Sequence, residues 1–188
     1  NFFSNGVQGG IVANAVGEGL AEKTNKSGNI VLVFLGDGTL GEGIVYESLN
    51  IASLWDIPVL FIVENNYYAQ STPSKLQISG SILKRAEAFG IESSECDSND
   101  IEIIYPIVKN AVDYVKYNCR PFYLVLNTFR LCHHSKNDDN RPISEINEWK
   151  KKDPILLRER IPSEEIQTIE KRVKKRVDSI VLELTKEI

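Results

Sequence analysis

Two polar clusters lie directly after apolar runs that have the length of buried strands. Asp37 stands between Gly36 and Gly38 after one run, and Asn66 follows the next run along the chain. Carboxylate and amide oxygens are the ligands that a hard divalent cation prefers, often with phosphate oxygens completing the shell. Glycines let a bulky anion approach the backbone, and the start of the following helix offers free N–H groups to a diphosphate. A Gly-Asp-Gly turn alone is a common strand-to-helix connection. The asparagine at the next strand end favours a functional site.

A third polar cluster follows a later apolar run. Arg130 is suited to binding an anion, and His133 and His134 are the only histidines of the chain. Adjacent side chains usually point apart, so a metal ion shared by the two histidines is not expected. An imidazole can donate or accept a hydrogen bond near neutral pH. We keep two readings open for this segment: solvated loop histidines, or one histidine that acts in catalysis.

Elements of a parallel sheet must position these clusters. Continuous apolar runs are typical of strands covered on both faces, and amphipathic segments between them predict helices. We predict strands at 30–35, 58–63, 122–127 and, more weakly, 91–96, with helices near 41–54, 81–89 and 100–117. This alternation predicts an α/β fold with a doubly wound, mostly parallel sheet and a C-terminal helical tail. Ligands of such sheets bind beyond the carboxyl ends of the strands, where all three clusters fall.

The chain divides, on this reading, into an α/β domain at 1–142 and a helical extension of the same domain at 143–188. Asp153 before Pro154 is a helix-start signal, and Ser163 with the two acids after it is another. One apolar stripe runs along the last predicted helix.

Composition excludes several classes of protein. The 188 residues carry a net charge of −4, whereas a general nucleic-acid binder normally has a basic excess. With 42% hydrophobic residues and no apolar run of 18, we expect a soluble protein that does not enter a membrane. The three cysteines are odd in number and far apart, which favours reduced thiols and a cytoplasmic location.

The spacing of the first two clusters resembles a known signature. Gly36-Asp37-Gly38 followed by Asn65-Asn66 looks like the motif of thiamine-diphosphate enzymes. Residues 36–72 closely resemble the alpha subunits of the pyruvate, branched-chain 2-oxo-acid and acetoin dehydrogenases. The resemblance implies thiamine diphosphate and Mg²⁺ as cofactors. It implies that the metal is held by Asp37, Asn66 and the carbonyl of Tyr68, with the diphosphate beside Gly36, Gly38 and Thr39.

Two further segments carry the resemblance. Residues 1–21 resemble the family segment that lines the cofactor, which implies cofactor contacts for Gly6 and for Gln8; the family usually has an aliphatic residue at the latter position. Residues 128–135 resemble the mobile active-site loop, which implies catalytic roles for Arg130 and His134 and cofactor contact for His134. Cys132 replaces a histidine of that loop.

The resemblance implies an alpha subunit that decarboxylates a 2-oxo acid and passes the acyl unit to a lipoyl or other acyl carrier. The glutamate that activates the cofactor belongs to a separate beta subunit in this family, and we find no candidate for it here. An α2β2 heterotetramer is therefore expected. Two alternatives remain: the N-terminal half of a split transketolase, and a catalytically silent scaffold subunit.

Overall fold

The computed structural model describes residues 2–135, 139–156 and 161–185. The chain forms two compact units, Asn1–Lys150 and Lys151–Ile188. A helix predicted to lie in the C-terminal extension, Ile143–Lys150, belongs to the first unit. The domain boundary expected at 142/143 stays a prediction.

The first unit is built on a four-stranded parallel sheet, as the apolar runs predicted. The strands are β1 (Val31–Gly36), β2 (Val59–Asn65), β3 (Tyr68–Ala69), β4 (Thr72–Pro73), β5 (Glu92–Cys96) and β6 (Phe122–Asn127). The strand order of the sheet is β1-β2-β6-β5. The strands β3 and β4 form a short antiparallel hairpin after β2.

The helices of this unit lie before, between and after the strands. They are α1 (Gly10–Thr24), α2 (Gly43–Leu54), α3 (Lys84–Glu87), α4 (Ile101–Asn118) and α5 (Ile143–Lys150). The helix expected at 81–89 is confirmed only as the four residues of α3. Bonds from the amides of Arg85 and Phe89 to carbonyls three residues earlier replace regular helix on either side of it.

Helices lie on both faces of the sheet, which confirms the doubly wound arrangement. The expectation that the first apolar run is covered on both faces is wrong, because Leu32 and Phe34 on one face of β1 are exposed. On one face α1 and α2 enclose alternate residues of β1 and β2, such as Val33 and Phe61. On the other face α4 packs its buried Ala111 and Val115 against Leu60 and neighbouring strand residues. Gly19 of α1 allows close packing on β2, because a Cβ at this position would lie 2.7 Å from a side-chain carbon of Val59.

The second unit contains the helix α6 (Ser163–Thr185), which starts where the Ser163 signal predicted. Before it, the carboxylate of Asp153 accepts a hydrogen bond of 2.9 Å from the amide of Ile155, as expected of a helix-start acid. Within the described ranges, no helix of either unit has both the length and the apolar character that spanning a membrane requires.

Candidate functional site

Asp37 begins a tight 3-10 turn, Asp37–Gly41, immediately after β1. Its side chain is 1% exposed, and one carboxylate oxygen accepts a hydrogen bond from the hydroxyl of Ser74. No ion pair within the described part of the chain involves this carboxylate. Because a buried carboxylate is costly without a counter-charge, its position favours a cation as the missing partner.

The second turn begins at the end of β2. The side-chain oxygen of Asn66 accepts a hydrogen bond of 3.1 Å from the amide of Tyr68. Tyr67 between them has a φ of 66°, in the left-handed region that few residues other than glycine adopt. Its carbonyl accepts a bond of 2.8 Å from the amide of Ser74, which closes the turn.

The structure brings these two turns together. Gly36 lies opposite Glu64 in the parallel register of β1 and β2, so both strands end at the same edge. Gly38 packs so closely on the hairpin that a Cβ there would lie 2.7 Å from the Cβ of Ala69. Ser74 bonds to both turns. The predicted convergence of the Asp37 and Asn66 segments at one edge of the sheet is therefore observed.

The N-terminal segment reaches the same edge. The hydroxyl of Thr39 donates a hydrogen bond to the side-chain oxygen of Gln8. Gly6 is exposed, and a Cβ at Gly6 or at Gly36 would meet nothing within 4 Å. The backbone therefore has open space at two of the glycines expected beside the cofactor, whereas at Gly38 the space is filled by the hairpin.

Arg130 is placed beside the hairpin. Its guanidinium donates hydrogen bonds to the carbonyls of Cys132, at 3.0 Å, and Gln70, at 2.7 Å. These contacts tie the start of the predicted active-site loop to the turn after β3. His134 lies on the exposed surface of that loop.

A buried arginine that the sequence did not single out holds the same loop. Arg141 is 7% exposed, and its guanidinium donates to the carbonyls of Arg130, at 2.5 Å, and Cys132, at 2.9 Å. It also forms a two-bond ion pair with Asp139 and lies 5.5 Å from the ring centre of Tyr68. The only sequence signal was an acid and a base two residues apart in a polar segment, which equally describes a solvated loop.

Two aromatic contacts cover this region. Trp149 of α5 lies 6.0 Å from the ring of Tyr67 and stacks on Phe129 at 4.9 Å. The hydroxyl of Tyr68 donates to the carboxylate of Glu145, also in α5. The helix α5 therefore packs over both the turn that contains Tyr67 and Tyr68 and the start of the loop at Phe129.

Electrostatic effects follow from this packing. Burial raises the pKa of Tyr67, and the carboxylates of Asp97, Glu95 and Asp37 raise it further. Burial also raises the pKa of Tyr68, together with its hydrogen bond to Glu145. Three carboxylates, Asp37 among them, are therefore close enough to the Tyr67 hydroxyl to raise its pKa.

The donor set fits a hard divalent cation next to a diphosphate. The ligand set that the resemblance implies consists of the Asp37 carboxylate, the Asn66 amide oxygen and the Tyr68 backbone carbonyl, which are oxygen ligands of the kind that Mg²⁺ takes. Within residues 2–135, 139–156 and 161–185, no group of three or more His, Cys, Asp or Glu side chains could hold a metal ion. A metal at this edge would rely on one carboxylate and neutral oxygens.

Fold and site together define an α/β protein with an oxygen-rich ligand edge, and the comparisons specify its family. The model for "Dehydrogenase E1 component" matches residues 4–187. The chain therefore belongs to the dehydrogenase E1 component family. Membership implies thiamine diphosphate as the family's cofactor.

Individual relatives agree with this assignment. The chain is 36% identical over 185 residues to the pyruvate dehydrogenase E1 component subunit alpha of Rickettsia bellii, covering 97% of the chain and 56% of the relative. Identity to the same subunit of Rickettsia felis is 37% over 155 residues, 81% of the chain and 48% of the relative. The mouse mitochondrial 2-oxoisovalerate dehydrogenase subunit alpha is 34% identical over 151 residues, 78% of the chain and 34% of the relative. The chain spans about half the length of the Rickettsia relatives.

Among solved structures, a transketolase from Campylobacter jejuni shares the fold. The TM-score is 0.56 with 26% sequence identity, and the match covers 64% of the chain and 20% of the transketolase.

Proposed function

We propose that the chain is the thiamine-diphosphate- and Mg²⁺-binding part of an alpha subunit that decarboxylates a 2-oxo acid and passes the acyl unit to an acceptor. The observation that carries this proposal is the buried Asp37 carboxylate, which meets the Asn66 turn at the carboxyl edge of the sheet. It accepts a hydrogen bond from the Ser74 hydroxyl, and no cationic side chain of the described residues forms an ion pair with it. Family membership supports the assignment.

In this proposal Asp37, Asn66 and the Tyr68 carbonyl hold Mg²⁺. The open backbone at Gly36, with Gly38 and Thr39 after it, lies beside the diphosphate. When bound, thiamine diphosphate supplies the electron sink for decarboxylation. The protein's own contribution is to position the site: Ser74 orients the Asp37 carboxylate, and the Gln8–Thr39 bond, with Gly6 nearby, holds the N-terminal segment against the turn.

The loop residues have separate roles. His134 can donate or accept a proton at its imidazole nitrogens and is exposed where a substrate or an acyl carrier can approach. Arg130 supplies a cationic group for an anionic substrate, and its contacts with the carbonyls of Cys132 and Gln70 set its position. Each role predicts loss of turnover on substitution.

A beta subunit is the proposed partner. It would supply the activating glutamate in an α2β2 heterotetramer, with a lipoyl or other acyl carrier as acceptor. We also propose that residues 143–188 extend the α/β domain of 1–142, and that the protein works in the cytoplasm, as its odd number of widely spaced cysteines suggests.

The direct experiment is calorimetric titration with thiamine diphosphate, with and without Mg²⁺. We expect binding that requires Mg²⁺ and is abolished in Asp37→Ala. Asp113→Ala removes an exposed acid that pairs with Lys109 on α4 and serves as the matched control. Equal affinity in Asp37→Ala and the control would refute the metal assignment, and no binding by the unaltered chain would favour a silent scaffold, a reading that Gln8 and Cys132 support.

Turnover separates the remaining alternatives. The transketolase likeness favours ketol transfer as a second candidate. With the beta subunit present, we expect release of CO₂ from a 2-oxo acid and no transfer from a ketose phosphate. Robust single-turnover decarboxylation by the isolated chain would contradict the need for a partner.

A further inference from the structure

A ladder of side-chain hydrogen bonds joins the ends of three strands at the carboxyl edge of the sheet, the edge that carries Asp37 and Asn66. The side-chain nitrogen of Asn65, the last residue of β2, donates a hydrogen bond of 2.7 Å to the side-chain oxygen of Asn127, the last residue of β6. The side-chain nitrogen of Asn127 donates a hydrogen bond, also of 2.7 Å, to the carboxylate of Glu95 in β5. Both asparagines are buried, at 6% and 8% exposure. The side-chain nitrogen of Asn65 and both polar side-chain atoms of Asn127 therefore find their partners in this ladder.

The ladder has a direction, and Glu95 sets it. A carboxylate accepts hydrogen bonds and donates none, so Asn127 must turn its amide nitrogen toward Glu95. The side-chain oxygen of Asn127 is then left for Asn65, which must offer its own amide nitrogen. The side-chain oxygen of Asn65 consequently faces the other way, toward the amide of Tyr67, from which it accepts a long bond of 3.4 Å.

This last bond reaches the turn that carries two of the proposed metal ligands. Tyr67 has its left-handed backbone conformation here, and its carbonyl binds the amide of Ser74. The hydroxyl of Ser74 in turn donates to Asp37. One continuous set of contacts therefore runs from Glu95 to the carboxylate of Asp37.

We propose that Asn127 is a positioning residue that, with Glu95 as the accepting end, fixes the amide orientation of Asn65 and through it the turn 66–74 that presents Asn66 and Tyr68. The structural part stands on the geometry alone. Its consequence for Mg²⁺ and thiamine diphosphate rests on the proposed function.

Variants that break, reverse and restore the direction test the proposal. Asn127→Leu leaves the buried amide of Asn65 without an acceptor. Glu95→Lys replaces the acceptor with a donor, so Asn127 must turn its oxygen outward, and the ladder reverses. Adding Asn127→Asp to Glu95→Lys restores it, because the new carboxylate accepts from both neighbours. Glu92→Lys makes the same charge change on an exposed position of the same strand and is the matched control.

The first readout needs no cofactor. Hydrogen exchange of the Tyr68 and Ser74 amides, measured by NMR on the full chain, reports closure of the turn. We expect exchange about tenfold faster in Asn127→Leu and in Glu95→Lys, and a rate within about threefold of the unaltered chain in the double variant and in Glu92→Lys. If these residues only supported the fold, the effects of Glu95→Lys and Asn127→Asp on the exchange rate would add. The double variant would then exchange at least as fast as Glu95→Lys.

The second readout is Mg²⁺-dependent binding of thiamine diphosphate. Substitution of residues that orient metal ligands typically costs roughly 10- to 100-fold in affinity, and we expect that loss in both single variants and its recovery in the double variant. Exchange and affinity in Glu95→Lys equal to those of Glu92→Lys would overturn the proposal, as would an additive double variant. Absence of binding by the unaltered chain would refute the proposed function, while the exchange rates would still decide whether the ladder orients the turn.

Discussion

Arg141 holds the loop 128–135 through bonds to main-chain carbonyls, and removing it should release that loop. Its guanidinium donates to the carbonyls of Arg130 and Cys132 and lies 4.9 Å from the ring centre of Phe129. A hydrogen bond from a charged group contributes about 1.5–3 kcal/mol. The two carbonyl bonds therefore stabilise the closed loop by about 3 kcal/mol at the lower end of that range. The ion pair with Asp139 is local, two residues away in the sequence, so it does not itself tie the carbonyls of Arg130 and Cys132 in place.

Losing about 3 kcal/mol increases the population of the open loop by roughly 150-fold, because each factor of ten corresponds to about 1.4 kcal/mol. Trypsin can measure this population, because it cleaves after Arg130, whose carbonyl is one of the two that Arg141 binds. When the loop opens and closes faster than the protease cuts, the cleavage rate follows the open population. In Arg141→Leu we therefore expect cleavage after Arg130 about 100-fold faster, read by mass spectrometry.

Two controls sharpen the experiment. Arg120→Leu removes an exposed arginine that pairs with Asp56 at 3.0 Å, and it should leave cleavage after Arg130 unchanged. Arg141→Lys keeps the charge but not the planar fork, so an intermediate rate is expected. A rate in Arg141→Leu within about threefold of the unaltered chain would show that the loop is held by other contacts, and the reasoning would be wrong.

Three other predictions follow from single contacts. The hydroxyl of Tyr123 is buried and makes no hydrogen bond in the described part of the chain, so Tyr123→Phe should raise the free energy of unfolding in urea by about 1 kcal/mol; a loss of stability would reveal an unseen partner. Gly38→Ala should lower it by about 1–3 kcal/mol through the clash with Ala69, and adding Ala69→Gly should recover most of the loss; an unstable double variant would contradict the packing explanation. The hydrogen bonds from Arg141 hold the pKa of Asp139 well below its ordinary value of 3.8. The contribution of this ion pair to the free energy of unfolding is therefore fully present above pH 3.8 and is lost only as the pH falls through the lowered pKa. An NMR titration of Asp139 should show the lowered pKa, and Arg141→Leu should raise it toward 3.8.

The local sequence pattern was enough to predict the parallel sheet and the meeting of the Asp37 and Asn66 segments at one of its edges. The short, continuous apolar runs around Val33 and Phe61 are typical of buried strands, and both segments are strands. Only the run around Phe61 is buried on both faces, whereas Leu32 and Phe34 of β1 are exposed. Parallel strands end at one edge, so the polar residues after them, Asp37 and Asn66, had to approach each other. No long-range information was needed for this step. The assignment of ligands beyond it came from the resemblance to a family.

Tertiary structure alone decided how the site is held. Asn65 and Asn127 are 62 residues apart, and they meet because β2 and β6 are neighbours, a strand order that local pattern does not contain. Arg141 lies in a polar segment without periodicity, where burial cannot be read from residue type. The close packing at Gly38 likewise depends on where the hairpin of Ala69 folds. Periodicity tells which face of an element is buried, whereas the partner that covers it is chosen by the whole chain.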